Sequence, residues 1–174
     1  MMVGKISTNK GDGIRMTYTI VKRPEYRAAG LRWEGAYVEV PQLKEMIHTL
    51  RNRAHELGKS GESNMQLGLS FHVRPDGFLH YSAYEVGRDQ KVPDDMIEII
   101  IPEMTYVTAK HHRGEDIGLT YHKIDLWLKE SDYKPFTDAS VEYFDVLPIK
   151  HETYPPDRDE SDPHFDIFIP VEKK

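Results

Sequence analysis

Two periods of apolar residues run along this chain, and the places where one gives way to the other mark its elements. Residues 16–22 (MTYTIVK) are rich in β-branched and aromatic types, Pro24 interrupts them, and 27–33 (RAAGLRW) resume an extended pattern, which predicts a strand, a corner and a second strand. Val40, Leu43, Ile47, Leu50, Ala54 and Leu57 then recur at spacings of three and four, the mark of a helix with one buried stripe. Pro41 suits its first turn and Gly58 its stop. Met65, Leu67, Leu69 and Phe71 alternate with polar or small residues as a half-buried strand does. Arg74-Pro-Asp-Gly77 is turn chemistry, so the aromatic-rich run 78–86 reads as the return arm of a hairpin.

The polar connector 87–95 separates this half from one that repeats its plan. Strands are expected at 96–101 and 105–112, and a second helical stripe follows at Ile117, Tyr121, Ile124 and Leu128. Setting Gly114 on Gly35, an offset of 79 residues, aligns the halves, although the more apolar face (Ala29, Leu31 and Trp33 against Val107 and Ala109) then differs by one residue. His164-Phe-Asp-Ile-Phe168 similarly mirrors His80-Tyr-Ser-Ala-Tyr84. The expected fold class is α+β: two pseudo-twofold-related strand-helix-strand-strand modules, with mainly antiparallel sheet and two long helices around a central cleft. Residues 1–14 are expected as a flexible arm and 15–174 as one domain, with internal repeats at roughly 16–87 and 96–171.

Within the second half, residues 140–146 read as a strand whose one face carries Ser140, Glu142, Phe144 and Val146. A carboxylate among apolar neighbours must reach water, hold a partner, take a proton or await a cation. After it, 151–163 reads as a long polar loop, and 165–169 as a closing strand.

Composition narrows the function classes. The 174 residues suffice for one hydrophobic core, and the absence of cysteine removes disulfides, thiolate nucleophiles and cysteine metal sites. A formal charge of −6 argues against a broad nucleic-acid surface, and no apolar run approaches a membrane span. The expectation is a cytoplasmic protein with no direct nucleic-acid or membrane contact. His111 and His112 lie near Glu115, Asp116 and His122, but adjacent strand residues point to opposite faces, so no metal is expected, nor any cofactor. The acidic run 157–162 reads as solvated loop or as a screen at a cleft mouth.

Three stretches resemble the GyrI-like small-molecule-binding family, which includes the effector-binding domains of AraC-type regulators. Arg27-Ala-Ala-Gly-Leu-Arg32 with Gly35-Ala-Tyr37 is similar to its "AGLR…GPY" opening, Val141-Glu-Tyr143 to its "FEVY", and Phe165-Asp-Ile-Phe-Ile-Pro-Val171 to its closing "DIYIPV". Ala36 stands where the family has Pro, and Val141 where it has an aromatic. The resemblance spans roughly residues 16–172. It implies a stand-alone effector-binding protein, without a helix-turn-helix, that takes a hydrophobic or cationic small molecule into the cleft, with a role in transcription regulation or in drug and toxin resistance. By position it makes Glu142 the counter-charge. Tyr37, Trp33, Tyr84, Phe144 and Phe168 are the candidate aromatic walls, and Trp127 is expected in the core.

The same family implies two other readings. One is a hydrolase of cyclopropane-containing toxins, with Glu142 as the catalytic carboxylate and Tyr37, Glu85 or Asp166 as its second polar group. The other is a protein-binding inhibitor of DNA gyrase, for which a protein partner would meet the acidic surface. Binding without catalysis is the leading expectation.

Overall fold

The computed structural model describes the backbone of residues 3–11 and 14–174, and the side chains from Thr17 onward. Ten strands form one antiparallel sheet. In chain order they are β1 (Val3–Gly11), β2 (Ile14–Arg23), β3 (Tyr26–Ala36), β4 (Gln66–Arg74), β5 (Gly77–Glu85), β6 (Ile97–Ile101), β7 (Met104–His111), β8 (Tyr133–Pro135), β9 (Ile149–Tyr154) and β10 (Phe165–Lys173). The helices are α1 (Val40–Asn52) and α2 (Ile117–Glu130), of 13 and 14 residues. Among the described residues no helix is long and apolar enough to cross a membrane.

The sheet order β1-β2-β7-β10-β9-β4-β5-β3-β6 makes the duplication visible. One module is β3-α1-β4-β5, the other β7-α2-β9-β10, and they meet where β4 pairs with β9. Each module borrows its outer strand: β2 precedes β3 in the chain but pairs with β7, and β6 precedes β7 but pairs with β3. This exchange ties the halves into one sheet.

Both helices lie on one face. Beneath α1, Leu50, Ala54 and Leu57 pack on Ala29, Tyr84 and Val86; beneath α2, Ile124 and Leu128 pack on Val107, Ala109, Ile167 and Ile169. Trp127 stacks on Tyr18 at this core's border. The faces therefore match when Ala29 is set on Val107, an offset of 78 rather than 79, and the one-residue disagreement between the halves disappears. On the other face Leu67, Leu69, Ala28 and Ala83 form a third cluster.

Capping follows the sequence. Asp116 accepts the Leu119 amide at 2.8 Å at the start of α2. The stripe of α1 runs on through a 3₁₀ turn, Ala54–Leu57, and stops at Gly58, whose φ of 67° is left-handed.

Three expectations are corrected. Val3–Gly11, read as a loose arm, pairs with β2 as β1; residues 1–2 and 12–13 lie outside the described residues. The stretch 140–146 is not a strand. Asp138 accepts the Ser140 amide and hydroxyl, its carbonyl closes a turn on Val141, and Asp145 accepts the Leu147 amide. These local bonds offer the backbone an alternative to a ladder, and they override the strand preference of Val141, Tyr143 and Phe144. Conversely, residues 149–154, four of the six inside the expected loop, form β9 at the centre of the sheet.

Candidate functional site

The sheet's helix-bearing face opens into a cavity of about 770 Å³ at the seam between the modules. Its floor is built by strand alternation. Ser70 and His72 of β4, Phe78 of β5, Lys150, Glu152 and Tyr154 of β9, and Phe165 of β10 all point to this side. The helices supply the flanks, Val40 and Ile47 from α1 and Ile117 and Tyr121 from α2. Ile117 is therefore exposed to the cavity rather than buried under its own helix.

The polar centre is Glu152. Tyr121 Oη donates to its Oε2 and Tyr154 Oη to its Oε1, each at 2.8 Å, so both carboxylate oxygens are anchored by neutral donors. Among the described residues no Lys, Arg or His nitrogen lies within 4.0 Å of it. Burial raises its pKa above the ordinary carboxylate range, while the two phenols and the Lys150 charge oppose that shift. Burial and the Glu152 charge also push both phenols well above their usual value.

Lys150, two residues away on the same face, is committed elsewhere. Its ammonium lies 3.4 Å from Asp145, 3.0 Å from His72 Nε2 and 5.0 Å from the centre of the Tyr121 ring. An ammonium can only donate, so His72 Nε2 accepts and its proton sits on Nδ1, 3.1 Å from Tyr37 Oη. Burial and the Lys150 charge pull the His72 pKa down to about 4, against the opposing pull of Asp145.

A second layer supports this floor. Gly68 is the direct cross-strand partner of Glu152, and a methyl group there would come within 3.1 Å of both Tyr154 and His80. His80 is buried, bonded through Nδ1 to Ser70 at 2.8 Å, and burial alone pulls its pKa down to about 4.

The acidic run 157–162 crosses the mouth and is bound down at both ends. Glu160 meets His48 and Arg51 of α1, each at 3.3 Å; Asp159 meets Arg113 at 3.3 Å, and Asp162 accepts the Gly114 amide. The charges of the run are largely spent on the protein itself.

The sequence-predicted residues fall in different places. Glu142 is exposed on the 136–148 loop, away from the cavity, and so is Phe144, whose amide bonds to the His72 carbonyl. Tyr84 is sealed in the core beneath α1. Phe168 faces the opposite side of the sheet, against Tyr106 and Arg23, because it lies an odd number of residues from Phe165, Ile167 and Ile169. Its mirrored pairing with Tyr84 is thus one residue out of register. Glu85 and Asp166 also lie along that far face. Tyr37 and Trp33 stand behind the cavity wall, Tyr37 through His72 and Trp33 edge-on to Phe78 at 5.2 Å. His111 is buried on Thr120 at 2.8 Å while His112 is exposed, so the pair diverges as alternation requires.

Sequence reasoning missed Glu152, Tyr154, Tyr121, Lys150 and Arg158. A signal was present. In "FEVY" the tyrosine follows the glutamate by two positions, on the same strand face; Glu152-Thr-Tyr154 keeps that spacing and Glu142-Tyr143 does not.

No curated protein sequence matches this chain. Solved structures do. The C-terminal domain of EcmrR superposes with a TM-score of 0.62 at 16% identity, covering 91% of this chain and 99% of that one. SAV2435 bound to tetraphenylphosphonium gives 0.62 at 11% identity, over 89% and 93%. A hydrolase encoded by lin2189 from Listeria innocua gives 0.59 at 11%, over 89% and 91%. At such identities the likeness concerns the fold. The sequence profile of the GyrI-like small molecule binding domain matches residues 16–172, nearly the whole chain, and on that match the protein belongs to the GyrI-like small-molecule-binding family.

Proposed function

We propose that this protein captures an apolar small molecule bearing positive charge in the cleft between α1 and α2, with Glu152 as the counter-charge. The carrying observation is that Glu152 is an enclosed carboxylate held by two neutral phenols, with no cation at ion-pair distance among the described residues. Leaving a buried charge uncompensated is costly, and a ligand cation compensates it in a medium where the attraction is strong. Val40, Ile47, Phe78, Ile117 and Phe165 supply apolar area around it. That SAV2435, a fold relative, is bound to tetraphenylphosphonium supports the same chemistry here.

Calorimetric titration with tetraphenylphosphonium and with neutral triphenylphosphine oxide tests this. The cation is expected to bind at least about tenfold more tightly. Equal affinities would remove the charge role.

Hydrolysis is a second reading, favoured by the raised pKa of Glu152 and by the fold relative that is a hydrolase. A carboxylate of raised pKa can take a proton from water attacking a strained electrophile. Turnover of a cyclopropane-bearing substrate, lost in Glu152→Gln, is the result that reading requires. An unchanged substrate pool would leave binding alone.

A further inference from the structure

Arg158 lies at the end of the cleft beyond Tyr154 and is 7% exposed. Nη2 donates to Gln66 Oε1 at 2.7 Å and Nη1 reaches the Pro155 carbonyl at a long 3.5 Å; Nε has no acceptor among the described residues. No carboxylate lies within 4.0 Å of it there either. The nearest candidate, Glu160, is held by His48 and Arg51. The guanidinium instead sits over the Tyr154 ring, 5.0 Å from its centre.

Glu160 is thus taken by His48 and Arg51, and burial and the Arg51 charge both disfavour the Arg158 charge. A buried guanidinium without a carboxylate is expensive to keep. Glu152, at the hydroxyl end of the same Tyr154, has the opposite deficit. Glu152 and Arg158 thus stand at the two ends of one tyrosine side chain, while Lys150, beyond Glu152, is paired with Asp145.

We propose that Arg158 seats an anionic oxygen of the ligand, so that the ligand is dipolar: an apolar body with a cationic group toward Glu152 and a carboxylate toward Arg158. This rests on the cleft being the ligand site, and extends that reading from a charge to a pattern of charges.

Rhodamine 110, with a free carboxylate, and rhodamine 123, its methyl ester, share one cationic ring system. By fluorescence anisotropy the wild type is expected to bind the acid about tenfold more tightly than the ester. Arg158→Gln, which removes the charge and keeps a neutral polar side chain, is expected to abolish the preference by weakening the acid alone, and Arg158→Lys to retain most of it. Equal affinity for both dyes in the wild type, or an undiminished preference in Arg158→Gln, overturns the proposal. The wild-type comparison stands by itself if the Gln variant does not fold.

If neither dye binds, the cation reading fails, and 2-naphthoate against 2-naphthamide decides the anion seat separately. Naphthoate bound more tightly than the amide, with the difference lost in Arg158→Gln or, should that variant not fold, seen in the wild type, upholds it; no difference between them overturns it.

Discussion

Gly68 stands directly across the β4–β9 ladder from Glu152, at the seam where the two modules meet. The pairing of a glycine with a glutamate makes the cleft floor asymmetric in charge and opens room for the Tyr154 ring that anchors the glutamate. Gly68→Ala is therefore expected to push against Tyr154 and His80, lower stability by about 1 kcal/mol and weaken cation binding severalfold. Denaturant midpoints and dye titration check both; an unchanged affinity would show that Tyr154 does not need the space.

Burial raises the Glu152 pKa, so the fold favours its protonated form. That contribution is fully present below the unfolded carboxylate pKa and is lost as pH rises through the raised folded value. Glu152→Gln mimics the protonated form. Its denaturation midpoint is expected above that of the wild type at about pH 8, and the two are expected to converge by about pH 4. A wild type more stable than the variant at high pH would contradict the sign.

For His72 the sign is reversed. The fold favours its neutral form, so its contribution is present above the unfolded histidine pKa and is lost as pH falls toward about 4. Lys150→Met removes the ammonium and is expected to move the His72 titration upward, read from its ring protons by NMR. His80 also titrates near 4, but by burial alone, and should stay in place. Movement of both would point to a general loosening of the floor.

Tyr84 and Phe168, both expected from the sequence to line the cleft, provide negative controls. The buried Tyr84 hydroxyl has no partner among the described residues, so Tyr84→Phe removes an unsatisfied group and should leave stability equal or slightly raised. Ligand affinity should be unchanged in Tyr84→Phe and in Phe168→Leu. A tenfold loss in either would mean that the ligand reaches beyond the cavity between the helices.

The elements with strong periods were legible in the sequence. The α1 and α2 stripes, the β4–β5 hairpin and the duplication all follow from spacing, because their apolar faces are buried on one side. The site was less so, for a physical reason. In β9 the polar residues Lys150, Glu152 and Tyr154 face the cavity, and His151 and Thr153 are polar on the other face, so no hydrophobic alternation survives to mark the strand. The 140–146 run misleads the other way, since its strand-forming residues are overruled by Asp138 and Asp145. The aromatic walls could not be sorted from the core because a shift of one residue reverses the face, as Ile167 and Phe168 show.

The most direct test of the account compares two single substitutions, Glu152→Gln and Glu142→Gln, by titration with tetraphenylphosphonium at neutral pH. Loss of affinity by about tenfold or more in Glu152→Gln, with Glu142→Gln equal to the wild type, is the predicted result. Undiminished binding in Glu152→Gln, or a loss confined to Glu142→Gln, would contradict it.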